Sequence, residues 1–425
     1  VVSYAELARR SKTYAEVMGR RWHRILLDEA HYLGQYKTDR QGNFVGSGRA
    51  NACRAVRATF RNAITGTPCF SSSRSYHAIA SFLHCTVHEL PQCSIRRRVS
   101  ELSSIAANFP VIHATEHDIA DKRYVELHGK AVDKYMENTL GVLTDNSTDA
   151  EISAWNRRAS MHRRLAKEKG SLSLGLLRPD SDASIAAHDQ PKVELMCRLV
   201  GERDRHNILI FTTFKTENNL IVKTLRQRFA HRSVSSITGD TTLDMRDRIL
   251  KSASSVGHYK EGGTKAMHVF ATECLCQTRS FDGLATIRPV FTFVCSYLEP
   301  VGSIVVAQID TIAVGLNLNW AHTAIFPRPG WCLRQEHQAV CRLRRMSNHI
   351  NHAIKEVHFL YIGRDYGQDN DDNDQSKANT FVDAHITKGR TMKKRDAEQT
   401  LGEDDCSPWI VLNQVTWHNA EFASL

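Results

Sequence analysis

Apolar residues fall into two rhythms along this chain. Apolar-rich runs recur at His23–Leu27, Asn207–Phe214, Ile304–Ile309, Thr323–Phe326 and Val357–Ile362, while Val234–Thr238 before Gly239 and Asn62–Thr65 before Gly66 read as shorter strands. Runs of this length with little polar alternation predict strands covered on both faces. Between them, apolar residues return every three or four positions. Tyr4, Leu7, Ala8, Ala15 and Met18 predict a helix over 4–18, and Tyr76, Ile79, Ala80 and Leu83 predict another over Ser73–His84. Residues 50–60, Glu217–Phe229, Leu243–Leu250 and Gln335–Met346 read the same way. Strands alternating with helices predict parallel sheets and an α/β fold.

The alternation is interrupted once. Asp121–Leu143 and Glu151–Lys169 carry long helical patterns rich in Arg, Lys and Glu, the composition of a solvated helical insertion. Ser171–Gln190, with Pro179, Ser181 and Ser184, reads as a linker. Residues 252–302 show too weak a pattern to place, and Asp365–Ser376 has the composition of a disordered segment. A length of 425 residues exceeds one ordinary core, so two domains are expected.

Charge adds a partner class. The chain holds 56 Lys+Arg against 46 Asp+Glu, a net charge of +10. Such an excess favours a polyanion, because Lys and Arg release counterions from nucleic-acid phosphates. The 11 cysteines are scattered without a framework spacing, which suits a reducing compartment. Cys274 and Cys276 form the one close pair, and His113 and His117 have helix-face spacing without a second ligand pair, so a zinc site is not favoured. The most apolar stretch, Pro289–Ile309, is broken by Glu299, Pro300 and Gly302, so no membrane partner is expected. Val1-Val2-Ser3-Tyr4 has neither an initiator Met nor a charged leader, and it reads as the middle of a domain.

The chemistry concentrates at Asp28-Glu29-Ala30-His31, directly behind Arg24-Ile25-Leu26-Leu27, and at Ile64-Thr65-Gly66-Thr67-Pro68. A strand ending in Asp-Glu puts two carboxylates at the carboxyl end of a parallel sheet, where open α/β folds handle phosphates and Mg²⁺. The first can hold a metal and the second can orient or deprotonate water. By itself the same four-residue match reads also as a surface acidic pair behind a buried strand.

Several stretches, taken in order over roughly residues 1–362, resemble the Swi/Snf family of helicase-like ATPases, which are double-stranded DNA translocases. Val1–Tyr4 resembles that family's motif Ib, Trp22–His31 its motif II, and Ile64–Pro68 its motif III. Ser94–Arg98 is similar to its basic element before a helical protrusion. Ile208–Phe214 resembles motif IV, and Ile237–Thr242 with Arg246 the element after it. Val314–Leu318 is similar to motif V, and Trp331 with Gln338-Ala339-Val340-Cys341-Arg342-Leu343-Arg344-Arg345 to motif VI, Q-A-x-x-R-x-x-R.

The resemblance implies two RecA-like lobes with parallel sheets, the first incomplete. It implies a partial first lobe at 1–90, a helical protrusion and linker at 91–185, a second lobe at 186–364, and a flexible acidic tail at 365–425. The implied cofactors are ATP and Mg²⁺. Asp28 would hold the metal and Glu29 the attacking water. Arg342 and Arg345 would be arginine fingers, and Gln338, one turn earlier, would read the same phosphates. Gly315, Thr65, Gly66 and Thr67 would bind nucleotide or, with His31, couple hydrolysis to lobe movement. Phosphates of the double-stranded DNA backbone would meet Gly239, Thr241, Thr242 and Gly315, with charge from Arg97 and its neighbours; a translocase gains nothing from reading bases. Nucleosomes or chromatin proteins are a further expected partner class, and the nucleus the expected location. Each residue also has a plainer reading: a satisfied interfacial histidine for His31, a solvated helix face for Arg342 and Arg345, and turn chemistry for the DNA set.

The pattern has gaps. No G-x-x-x-x-G-K-[ST] occurs, and Gly129-Lys130 is followed by Ala131. Only 27 residues precede Asp28, too few for the strands and phosphate loop that come before this motif. Either the chain is a fragment of an ATPase, which the start at Val1 favours, or it has lost ATP binding and serves as a DNA- or chromatin-binding scaffold. Ser71 stands where the family usually has Asn, Ala313-Val314-Gly315 lacks the usual paired Gly, and 252–302 is longer than the usual connection. A DEAH-box RNA helicase shares Asp-Glu-Ala-His but not Thr-Gly-Thr-Pro or Gln-Ala-Val-Cys-Arg. Repair, transcription termination and chromatin remodelling all use such a motor, and no further motif decides among them.

Overall fold

The computed structural model describes the chain except residues 10–11, 35–36, 39–43, 66–73, 91, 96–109, 120–121, 142–146, 178–189, 256–300, 313–315, 331–332, 345–353, 363–381, 384, 388–414 and 423–425. The amino-terminal part runs α1 (Tyr4–Ala8), α2 (Lys12–Met18), β1 (Trp22–Leu27), a hairpin of β2 (Lys37–Thr38) and β3 (Phe44–Val45), α3 (Gly48–Ala55), β4 (Ala58–Ala63) and α4 (Arg74–Leu83). β1 and β4 form a two-stranded parallel sheet with Leu27 opposite Ala63. One face packs on Leu7, Leu33, Cys53, Tyr76, Ile79 and Phe82.

Two predicted elements differ here. The helix expected over 4–18 stops at Ala8, where the Arg9 amide bonds back to Ala5 and Glu6, and a second helix starts at Lys12. The helix expected over 50–60 stops at Ala55, where Val56 turns extended (φ −64°, ψ 129°). Thr59 and Phe60, better strand formers than helix formers, then start β4 four residues before the predicted Asn62.

The rest builds on a seven-stranded, wholly parallel sheet, reached through β5 (Val111–Ile119), α5 (Lys122–Leu140), α6 (Asp149–Gly170) and α7 (Pro191–Gly201). There follow β6 (Ile208–Thr212), α8 (Lys215–Arg228), β7 (Val234–Ile237), α9 (Leu243–Ser255), β8 (Ile304–Gln308), α10 (Ile309–Ile312), β9 (Thr323–Phe326), α11 (Leu333–Leu343), β10 (Ile354–Ile362) and β11 (Val415–Phe422). The strand order is β11-β5-β10-β9-β6-β8-β7. β6 and β9 are buried throughout, and β8 up to its last residue, Gln308, as apolar runs require.

Each face of this sheet carries its own core. On one, Phe211, Phe326 and Phe359 stack at 4.6 and 4.9 Å between centroids, and Ala339, Val340 and Leu343 of α11 close over the layer. On the other, Ile208, Ile210, Val306 and Ile325 meet Val193, Leu195 and Met196 of α7 and Ile221 and Leu225 of α8.

Strand β5 falls inside the stretch read as helical. His113 and His117 therefore lie on a strand, and their spacing is the period-two recurrence of one strand face, with Ile112, Ala114, His117 and Ile119 buried. The segment read as linker also begins inside the core, because Leu172, Leu174 and Leu177 are buried. Within the region read as a flexible tail, β11 pairs with β5, and Val382, Asp383 and Ile386 are buried. The Asp-rich stretch 365–376 lies outside the described residues.

Candidate functional site

The acidic motif is carried where β1 ends. Pairing with the β4 strand continues past both strand ends: the Ile64 amide donates to the Leu27 carbonyl (2.8 Å) and the Ala30 amide to the Ile64 carbonyl (2.9 Å). This zipper sets Thr65 beside His31. Glu29 takes a left-handed conformation (φ 48°, ψ 52°), which turns the chain into the 3₁₀ segment Ala30–Leu33. A non-glycine residue there costs about 1 kcal/mol or more, and such strain gathers at functional turns. Tyr4 steadies the turn by donating its hydroxyl to the Asp28 carbonyl (2.7 Å), and burial raises its phenol pKa well above normal. The Asp28 carboxylate is exposed, and one of its oxygens accepts the Glu29 amide at 3.0 Å.

His31 is the centre of the arrangement, and its side chain is fully buried. Its Nδ1 lies 3.0 Å from Thr65 Oγ1 and 3.2 Å from a Glu29 carboxylate oxygen. Its Nε2 faces the side-chain amide nitrogen of Gln338, 3.5 Å away on α11. The Nδ1 side of the ring thus meets Thr65 and Glu29, and the Nε2 side meets Gln338. One ring thus touches the acidic motif, the Thr65 segment and the second sheet's helix.

Gln338 and Arg342 are one turn apart on α11, on the side opposite the buried Ala339, Val340 and Leu343. Tyr32 of the first lobe lies within the electrostatic field of Asp310 and Arg342, and burial first, then Glu29 and Asp310, raise its pKa. Gln335 donates to Asp310 at 2.6 Å, tying α11 to α10. Glu29, Thr65 and Gln338 therefore meet around His31, with Asp28 beside them in sequence and Arg342 one helix turn on, and this junction of the two units is the candidate cleft. Gly66, Thr67, Arg97, Gly315, Trp331 and Arg345 lie outside the described residues. Arg344, inside the same sequence motif, turns away and donates to the Pro110 carbonyl at 3.2 Å.

The Gly239–Thr242 turn stands apart from this cleft in its own hydrogen bonding. The Gly239 amide donates to Gln308 Oε1 (2.8 Å), Thr241 Oγ1 accepts the Thr238 amide (2.9 Å), and Thr242 Oγ1 accepts the Met245 amide (3.4 Å) at the start of α9. Accepting a backbone proton leaves each hydroxyl hydrogen free to donate outward.

Sequence reasoning passed over the buried charges behind the cleft. Arg328, in Pro327-Arg328-Pro329-Gly330 before α11, is fully enclosed. It pairs with Glu217 (3.2 Å), donates to the Glu168 carbonyl (2.6 Å), and lies over the Phe214 ring at 4.6 Å. A charged residue inside an otherwise apolar strand-to-helix junction was the available signal. Among the described residues no group of three or more His, Cys, Asp or Glu side chains can hold a metal by itself, and no helix is long and apolar enough to cross a membrane.

No family model matches the chain. Its sequence is similar to transcription termination factor 2 of Drosophila melanogaster, 34% identical over 86 residues, a stretch that covers 20% of this chain and 7% of that protein. Among solved structures it is similar to the SWI2/SNF2 ATPase core of Sulfolobus solfataricus in complex with dsDNA, at 15% identity and a TM-score of 0.32, over 84% of this chain and 67% of the other. It is also similar to the C-terminal part of the Fun30 ATPase domain, at 10% identity and a TM-score of 0.39, over 69% and 99%. A third is the DNA-bound ATP-dependent Type ISP restriction-modification enzyme LlaBIII, at 12% identity and a TM-score of 0.46, over 98% and 23%.

Proposed function

We propose that this chain is the two-lobed part of an ATP-dependent double-stranded DNA translocase. The observation that carries the reading is the position of His31, held by Glu29 and Thr65 on one side and facing Gln338 on the other. A histidine so placed transmits any movement of the acidic turn to the helix bearing Arg342. In this reading Asp28 holds Mg²⁺, Glu29 orients water, and Arg342 and Arg345 stabilise charge on the transferred phosphoryl group. Gly315, Gly66 and Thr67 belong to the same nucleotide-coupling set. Thr241 and Thr242 donate their free hydroxyl hydrogens to DNA backbone phosphates, beside Gly239, with Arg97 adding charge. Nuclear location and chromatin proteins as partners go with the same reading.

The residues present fit one half of Mg-ATP. An exposed carboxylate beside a second one suits a metal that keeps several waters and takes its other ligands from phosphate. The amide loop that cradles a triphosphate is not among these 425 residues. When bound, ATP and its metal supply the free energy of phosphoryl transfer.

The test is ATP hydrolysis by this chain, with and without double-stranded DNA, beside a version extended upstream through a G-x-x-x-x-G-K-[ST] loop. Turnover stimulated by DNA in the extended protein and abolished by Glu29→Gln supports the motor. DNA binding without turnover in either protein supports the second reading, a catalytically silent scaffold.

A further inference from the structure

The most deeply buried ion pair among the described residues has no part in that reading. Lys192, at the start of α7, and Asp383, far along the chain, pair with both side chains fully buried. Lys192 also donates to Ser171 Oγ (3.0 Å), Ser171 donates to the other Asp383 oxygen, and the Ile362 amide at the end of β10 donates to Asp383 at 3.1 Å. Val382 and Ile386, on either side of Asp383, are buried as well, and Thr387 closes a turn on the Asp383 carbonyl at 2.8 Å. An aspartate that collects an ammonium, a hydroxyl and a backbone amide in a dry site is a built receptor for that one side chain.

The anchor continues toward the cleft. Ser171 caps α6, and three residues earlier the Glu168 carbonyl accepts from Arg328. Arg328 lies in the loop whose Gly330 amide donates to Glu336 Oε1 (2.6 Å) in the first turn of α11. Lys192 lies within the field of the Glu217–Arg328 pair. The last turn of α6 is therefore gripped twice, by the Asp383 segment and by the loop that starts the helix bearing Gln338 and Arg342.

We propose that the segment carrying Val382, Asp383, Ile386 and Thr387 is an intramolecular strap, whose docking on Lys192 and Ser171 sets the position of α11 through Glu168 and Arg328. Docked, it holds Gln338 and Arg342 facing the first lobe. Released, it frees the α6 terminus and the Arg328 loop together. The inference does not depend on what the cleft binds.

Hydrogen–deuterium exchange on the full chain tests it. Asp383→Asn keeps the shape of the side chain and removes its charge. Ile386→Ala weakens docking without leaving Lys192 unpaired, so it reads the coupling even where Asp383→Asn unfolds the lobe. For Ile386→Ala, amides of 382–387 and of α11 are expected to exchange about tenfold faster together, while α3 and α4 stay as in the parent. Faster exchange confined to 382–387, with α11 unchanged, would overturn the proposal. So would loosening of α11 with no change at 382–387.

Discussion

The two sheets put the same kind of strand to different use. In the seven-stranded sheet, apolar side chains are covered on both faces, from Ile208 to Leu360. In the two-stranded sheet, Trp22, Leu26, Phe60 and Ile64 remain 37, 59, 48 and 53% exposed along one face. A pair of strands with one core is marginal, whereas a large sheet with two cores is self-sufficient. The carboxylates of the candidate site are thus mounted on the weaker platform, and the arginine helix on the stronger one. A site shared in this way responds first to whatever moves the weaker partner. His31, facing Gln338 at 3.5 Å, is where the two meet.

The sharpest way to break the comparison is to cut an equivalent aromatic from each sheet. Phe211→Ala removes the end of the Phe211–Phe326–Phe359 stack and is expected to cost about 3–5 kcal/mol. Phe60→Ala, on the exposed face, is expected to cost no more than about 0.5 kcal/mol. Denaturant unfolding of both variants decides it, and equal losses would end the contrast.

Removing Arg328 is the next largest effect. Arg328→Ala leaves Glu217 buried without its cation, and roughly 3 kcal/mol of stability is expected to go with it. Its counterpart in the first lobe, Arg24 over Phe60 at 5.3 Å, is an exposed contact, and Arg24→Ala is expected to cost about 0.5–1 kcal/mol at most. Thermal melts of the pair check both.

Acid separates the lobes by another route. Burial, and then the neighbouring His358, push the His117 pKa down to about 4; burial, and then Lys167, do the same for His128. Both imidazoles hold a proton more weakly folded than unfolded. As pH falls through 6.5 the unfolded chain protonates first, so stability declines down to about pH 4 and levels off below it. Both histidines belong to the larger unit, so its unfolding midpoint should fall over this window. His117→Phe with His128→Phe should flatten the decline, and an unchanged slope would refute the assignment.

The parallel α/β plan was readable because Ile208–Phe211, Ile304–Ala307 and Ala324–Phe326 are apolar without interruption. The convergence of Asp28, Glu29, His31 and Thr65 was readable too, because strand ends and turns cluster at one edge of a parallel sheet. Strand β5 was hidden because Thr115, Glu116 and Asp118 dilute its alternation inside a charged stretch. Asp383 was hidden for a different reason: its partner Lys192 is 191 positions away, and no local pattern marks a charge that is buried by distant chain. Of the Gly239–Thr242 residues, the Gly239 amide is already given to Gln308, whereas Thr241 and Thr242 each accept one backbone amide and keep a hydroxyl hydrogen to donate.

The smallest expected effect tests the open face itself. Leu26 projects from β1 with Trp22 and Arg24, on the side away from the first lobe's core. Contiguous apolar residues on a surface promote association more than they support the fold that carries them. Leu26→Ser should therefore leave the unfolding midpoint within about 0.5 kcal/mol of the parent while lowering self-association at high protein concentration. Sedimentation read beside denaturation distinguishes the outcomes. A loss of several kcal/mol would mean that Leu26 is packed in solution, and the first sheet would then be as closed as the second.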